Sequence, residues 1–270
     1  MDVVITNPRN AVSAVRLGLP VITAIPTNNN YNNIINWGRS DAPDNDNVIN
    51  KGCYVSRTVN KDGYLHDLED NHIPVPAIRD AGDALQDRSW VIRPNVHEEG
   101  REFNLHNVEV DGTIRVPEDH HATLFISPTR EYRIWFAGNS HKTAKRTPRP
   151  SEDETDESCR SKWGYRNCDN FPGAIELVKK ARAVVPIQFG AFDLLWATEE
   201  RKWYILEVNS APSLDTDSVR AFMAAGIKAL MRPEPTIAAT PRPAVATPLP
   251  QVIRRRLKVI TMEGWQEIEV

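Results

Sequence analysis

The chain is 270 residues long, 40% hydrophobic and 26% charged, which suits one large domain or two to three small ones sharing an interface. Its 33 basic and 36 acidic residues leave a formal net charge of −3, so no global positive field exists to hold nucleic acid or an anionic membrane surface. No apolar run approaches the roughly 20 residues of a membrane span. The start, MDVVITNPRN, lacks the pattern of a signal peptide. The three cysteines, Cys53, Cys159 and Cys168, have no metal-like spacing, so neither a disulfide framework nor a structural zinc site is expected, and the cytoplasm is the expected compartment.

Val3-Val4-Ile5 reads as a strand. Asn7 is placed to cap a helix with Pro8 at its first position and apolar residues at Ala11, Ala14, Val15 and Leu17, and Gly18 ends it. Leu19 to Ile25 resumes an extended run, and a β-α-β start of this kind predicts a parallel sheet. Polar loops complete this leading segment, residues 1–47. Residues 48–123 predict a small helical unit, an extended Ile73-Pro74-Val75-Pro76, a strand at Trp90-Val91-Ile92 and a hairpin turn at Asp111-Gly112.

A second subdomain is expected over residues 124–230. Leu124 to Ile126 and Tyr132 to Phe136 are strand candidates. Between Asn139 and Asn170 a basic run (His141, Lys142, Lys145, Arg146, Arg149) meets an acidic one (Glu152, Asp153, Glu154, Asp156, Glu157), which reads as a mobile surface loop. Helices are expected at Gly173 to Val185 and Thr216 to Leu230. Prolines punctuate residues 231–250, an extended linker by composition. Residues 251–270 form a β tail, a small hairpin around Glu263-Gly264. Its basic residues Arg254, Arg255, Arg256 and Lys258 make it a candidate docking element, tethered by the linker.

The chemistry concentrates between Phe189 and Asp215. Two apolar runs flank the polar stretch Thr198 to Lys202, an antiparallel hairpin signal. Centring the turn on Glu200 pairs Trp196 with Tyr204, Leu194 with Leu206 and Asp193 with Glu207. One face then holds Phe192, Leu194, Trp196, Tyr204, Leu206 and Val208. The other holds Ala191, Asp193, Leu195, Ile205, Glu207 and Asn209. Two carboxylates directly opposed cost a few tenths to about 1 kcal/mol. A divalent cation reverses that sign, because hard ions such as Mg2+ take carboxylate and phosphate oxygens. The competing reading is a sheet edge whose carboxylates meet solvent or a Lys or Arg neighbour.

Asp193 followed by Leu-Glu-Val-Asn-Ser-Ala-Pro-Ser-Leu from Leu206 to Leu214 resembles the closing metal motif of the ATP-grasp ligases, and among them the phage-encoded carboxylate–amine ligases (amidoligases). The resemblance implies that Asp193, Glu207 and Asn209 hold Mg2+, or Mn2+, against the phosphates of ATP. Upstream, Thr58-Val59-Asn60-Lys61 resembles the stretch carrying the first phosphate-binding lysine, which implies that role for Lys61. Trp90-Val91-Ile92-Arg93-Pro94 resembles the second phosphate-contacting strand, with Arg93 where many members carry lysine. His97-Glu98-Glu99-Gly100 falls where a glycine-rich phosphate loop belongs, so His97 and Gly100 are candidate nucleotide contacts. Leu124 to Ser127, with Phe125 and Ile126, corresponds to the hinge that meets adenine. Glu131-Tyr132-Arg133 resembles the strand whose arginine faces the transferred phosphate, and Arg146 matches a further basic position.

These correspondences run from about Asn47 to Phe222. They imply an α/β (α+β) ATP-grasp fold, with nucleotide held between two α+β subdomains behind a short β-α-β leading segment. The activity implied is ATP-dependent, ADP-forming amide synthesis through an acyl phosphate, with Arg133 and Arg146 as catalytic residues. The substrates expected are small-molecule or peptide carboxylates and amines. Nucleic acid is expected only as an acceptor with a modified base. Two other readings stay open: a nucleotide-binding phage protein without turnover, and a divalent-metal nuclease. The nuclease pattern wants lysine where Asn209 stands.

Overall fold

The computed structural model describes residues 2–26, 31–95, 104–107, 112–126, 129–147, 164–231, 256–261 and 264–269. Asp111 of the expected Asp111-Gly112 turn, the acidic run from Glu152 to Glu157 and the linker from Pro233 to Pro250 fall outside them. Contacts divide the chain into a unit over Met1–Arg232 and a second over Pro233–Val270.

The leading segment is parallel, as its β-α-β pattern predicts. Strand β1 (Val3–Thr6) is followed by a short 3-10 turn and α1 (Ala11–Val15), then β2 (Val21–Ile22), β3 (Ile34–Trp37) and β4 (Val48–Ile49), in sheet order β2-β1-β3-β4. The Asn7 side chain accepts the Asn10 N–H at 2.9 Å, the cap expected of it. The helix is shorter than its apolar spacing predicts, because Pro8 to Asn10 wind as the 3-10 turn.

Two helices follow, α2 (Gly52–Val59) and α3 (Lys61–Asp70), with Asn60 capping the second through Gly63 N–H. Next come β5 (Ile78–Arg79), β6 (Ala84–Leu85), β7 (Ser89–Pro94), β8 (Asn104–Asn107), β9 (Ile114–Arg115) and β10 (His120–Leu124). They build an antiparallel sheet ordered β5-β10-β7-β8, with β6 and β9 paired beside it. Leu85, Trp90, Ile92, Val116 and Ala122 form its apolar cluster.

The largest sheet, ordered β13-β12-β11-β14-β15, carries the main core. Its strands are β11 (Thr129–Ala137), β12 (Ser140–Thr147), β13 (Gly164–Asn167), β14 (Phe189–Ala197) and β15 (Lys202–Asn209), joined by α4 (Pro172–Val184) and followed by α5 (Asp217–Leu230). One face buries Ile134, Phe136, Phe192, Leu194, Ile205 and Val208 against α3 and α4. Part of the other face, Trp135, Ala137, Phe189 and Ala191, packs on α5 and the leading sheet. Gly226 of α5 makes this approach close: a Cβ there would stand 2.4 Å from Ala137 Cβ. Farther along that face come the polar Arg133, Asp193 and Glu207, and then a small apolar cluster of Leu195, Ala197 and Tyr204.

Two expectations need correction. The hairpin from β14 to β15 does pair Asp193 with Glu207, but it pairs Leu194 with Ile205, Leu195 with Tyr204 and Trp196 with Trp203. A β-bulge with Leu206 as the extra residue separates the two registers, so Ile205 turns into the core with Leu194 and Tyr204 joins Leu195 on the opposite face. Alternation assumes one residue per step and cannot show a bulge. Second, the basic half of the stretch between Asn139 and Asn170 is strand β12, paired on both sides, and β13 closes the sheet edge. Ladder bonds to β11 and β13 hold this strand, with only Thr143 and Ala144 buried, so no apolar run announces it.

In the second unit β16 (Arg256–Thr261) pairs antiparallel with β17 (Gly264–Glu269), joining Ile260 with Trp265 and Thr261 with Gly264. That is the hairpin expected around Glu263-Gly264.

Candidate functional site

Alternation along β11 sends Tyr132, Ile134 and Phe136 toward α4 and places Glu131, Arg133 and Trp135 on the opposite face. Arg133 stands opposite Asp193 on β14, and Asp193 opposite Glu207 on β15. The ladder therefore lines up one guanidinium and two carboxylates across three strands. Arg133 donates from Nε and Nη2 to both Asp193 oxygens at 2.6 Å, a bidentate pair. Lys61 reaches Glu207 from the start of α3, with Nζ 2.8 Å from Oε2. Asn209 donates to the other Glu207 oxygen at 2.7 Å. On β12, Arg146 donates to Glu131 at 2.9 Å.

Four cations, Lys61, Arg93, Arg133 and Arg146, thus share one field with three carboxylates, Glu131, Asp193 and Glu207. Burial alone would push the Glu207 carboxyl up. Lys61 beside it, then Arg133 and the Asn209 amide, outweigh burial and hold it well below the usual carboxylate range. Burial pushes the Arg93 guanidinium down, against the pull of Glu207 and Glu131. Arg133 is held above the usual arginine value: burial opposes the charge, but its neighbours, Asp193 foremost and Glu207 among them, together more than offset it.

Arg93 on β7 stands opposite His121 on β10. With Thr123 they line one wall of a pocket whose other wall is Lys61, Glu207 and Leu206, closed by Leu65 and Pro76. The bulge matters here, because it brings Leu206 to the pocket beside Glu207. No sequence motif marks His121, Thr123 or Leu65. His121 is buried and bonds Asn95 through Nδ1 at 3.0 Å, yet a lone buried histidine on a strand carries no motif. Pro76 and Glu131 lie inside motif stretches whose signal falls on neighbouring residues. Tyr165 was also missed; its ring lies 4.7 Å from the Arg133 guanidinium carbon and 5.8 Å from that of Arg146.

Of the expected residues, Lys61, Arg133, Asp193, Glu207 and Asn209 are joined by hydrogen bonds or ion pairs, and Arg93 lines the same pocket as Lys61 and Glu207. Arg146 belongs to the same electrostatic cluster through Glu131 and Asp193. Phe125 donates its N–H to Ser89 O at 2.8 Å, and Ile126 packs on Leu195, Ala197 and Tyr204. His97 and Gly100 lie outside the described residues.

The donor set fits a magnesium nucleotide. Two carboxylates and an amide supply hard oxygen ligands, and an excess of cations faces them. Arg146 Nε is buried without a hydrogen-bond partner among the described residues, a donor left for a ligand.

No family profile matches the chain, and no curated protein matches it in sequence. Solved structures do match in shape. The ATP-grasp ligase PsnB, complexed with minimal precursor, Mg and ADP, superposes with a TM-score of 0.58 at 11% identity, over 86% of this chain and 97% of that one. A RimK domain ATP-grasp protein from Sphaerobacter thermophilus gives 0.57 at 14% identity, over 86% and 99%. A RiPP-associated ATP-grasp ligase from Chryseobacterium gregarium, in complex with ADP and a leader and core peptide, gives 0.55 at 13% identity, over 86% and 97%. The chain has the ATP-grasp fold. Among the described residues no helix is long and apolar enough to cross a membrane.

Proposed function

We propose that the protein is an ATP-dependent carboxylate–amine ligase, as its resemblance to the phage-encoded amidoligases implies. A carboxylate substrate takes the γ-phosphoryl group of ATP, giving an acyl phosphate and ADP. An amine then displaces phosphate and leaves an amide. The observation that carries this reading is the opposed pair Asp193 and Glu207, each matched by its own cation, beside a pocket between two sheets. Magnesium, held by Asp193, Glu207 and Asn209, would neutralise charge on the transferring phosphoryl group. Lys61 and Arg93 bind the phosphates. Arg133 and Arg146 face the carboxylate and the acyl phosphate, to which their planar donors are suited. The apolar lining of the pocket, Leu65, Pro76 and Leu206, would limit water at the intermediate. Two of the similar ligases form complexes with a minimal precursor or with a leader and core peptide, which favours a peptide as one substrate.

The test is thermal unfolding with nucleotide. Because Glu207 holds Lys61 and Asp193 holds Arg133, metal and phosphate must exchange partners together. The shift from Mg2+ plus ATP is expected to exceed the sum of the shifts from Mg2+ alone and from ATP with EDTA. Lys61→Ala and Arg93→Ala should each reduce it. Additive shifts, or variants that respond like the parent, would count against the reading. Screening pairs of amino acids and short peptides for amine-dependent ADP release then identifies the substrates.

A further inference from the structure

Tyr165 sits on the edge strand β13, directly opposite Arg146 on β12. Its ring faces two guanidinium groups at once, Arg133 at 4.7 Å and Arg146 at 5.8 Å. Behind it Trp135 meets the ring edge-on, with centroids 5.6 Å apart and planes at 78°. Trp135 is itself fixed, buried and donating from Nε1 to Ser213 O at 3.3 Å, while Ser213 Oγ accepts from Arg133 Nη1 at 3.4 Å. Burial pushes the Tyr165 phenol well above its usual range, so the ring stays neutral between the two cations.

A carboxylate at this position would consume guanidinium N–H groups. An aromatic face attracts the cation through its π cloud and leaves the in-plane N–H edges for another acceptor. Two neighbouring arginines also repel each other, and a shared face offsets that repulsion without neutralising either. Each arginine spends part of its fork on a carboxylate, Arg133 on Asp193 and Arg146 on Glu131, and Arg146 Nε stays without a partner among the described residues.

We propose that Tyr165 is a positioning residue, which sets the planes of Arg133 and Arg146 so that their remaining N–H edges converge on a carboxylate or phosphoryl oxyanion. Only the identity of that anion rests on the ligase reading; the positioning does not.

The test titrates inorganic phosphate and, separately, MgADP into the full-length protein by calorimetry. Tyr165→Leu removes the face and is expected to weaken phosphate binding by about tenfold. MgADP binding, which rests on Lys61 and Arg93, should stay within about twofold and shows that the variant is folded. Tyr165→Phe keeps the face and should restore phosphate binding to within about threefold of the parent. A Leu variant that binds phosphate like the parent overturns the proposal, as does a Phe variant that falls with it. A parent protein that binds phosphate but not MgADP sinks the ligase reading and leaves the positioning role standing. One that binds neither overturns both.

Discussion

At the scale of single residues, the opposed carboxylates turn out to be matched rather than strained. The sequence predicts like-charge repulsion between Asp193 and Glu207, relieved by a metal ion or, in the competing reading, by solvent or a Lys or Arg neighbour. In the fold, Lys61 and Arg133 arrive from positions 146 residues from Glu207 and 60 residues from Asp193 and take one carboxylate each. Such partners are invisible to local spacing. The consequence for stability has a definite sign. The Glu207 carboxyl is held below its usual range by Lys61, Arg133 and Asn209 against the opposing effect of burial. Its stabilising contribution is therefore present above the ordinary glutamate value near pH 4 and is lost as pH falls through the lower folded value. Glu207→Gln is expected to cost the metal-free protein about 1–3 kcal/mol at neutral pH, because Lys61 loses its charged partner. The gap to the parent should narrow as the pH falls below the ordinary glutamate value. Urea denaturation at pH 7 and pH 3 measures both values, and a variant as stable as the parent at pH 7 would restore the repulsion account.

Among the elements, those with strong periodicity or caps were legible: α4, α5 with Thr216 accepting Val219 N–H, the parallel leading sheet, and the β14–β15 hairpin. The opposition of Asp193 and Glu207 was legible too, since it lies on the turn-distal side of the bulge where the count of residues happened to agree. Strand β12 was not, because a strand paired on both sides can be basic and still hold. The wall formed by Arg93, His121 and Thr123 was half legible: a motif named Arg93, but only strand pairing brings His121 beside it. Helix α3, which presents Lys61, is tied to the end of β5 by another element-scale contact. His66 Nε2 lies 2.8 Å from Asp80 Oδ1 and 3.4 Å from Asp62, with Glu69 3.7 Å away. Burial lowers the His66 pKa, but Asp80, Asp62 and Glu69 together raise it above its usual value. The stability it contributes is thus complete below the ordinary histidine value near 6.5 and is lost as pH rises through the higher folded value. His66→Gln should lower Tm by roughly a degree or two at pH 5.5, a small effect because the cluster is partly solvated. At pH 9 the two proteins should melt together. A Tm difference that is constant from pH 5.5 to 9 would assign His66 to packing instead.

For the whole molecule, the question is what the second unit adds. The five apolar clusters of the described residues are built from positions between Val3 and Met231, and the last of these, Met231, packs against the cluster beneath α5. The first unit therefore has a core of its own, and the proposed site lies wholly within it. The hairpin of β16 and β17 is a different case. Two strands alone are marginally stable in water, yet this pair carries Leu257, Val259, Ile260, Trp265 and Ile268 beside Arg256 and Lys258. Residues of that kind have little use on a free tail, so the hairpin calls for a partner surface, and a proline-rich tether raises its local concentration at any surface within reach. Truncation after Arg232 separates the alternatives better than a cut at Leu230, since it spares Met231. The shortened protein keeps every residue of the five clusters, so it is expected to keep its Tm to within about 2 °C and to keep its shift with MgATP. Its mass by light scattering should fall to that of a monomer if the tail joins two copies. A drop in Tm at unchanged mass would instead place the tail on its own body, and unchanged Tm with unchanged mass would remove the docking role altogether.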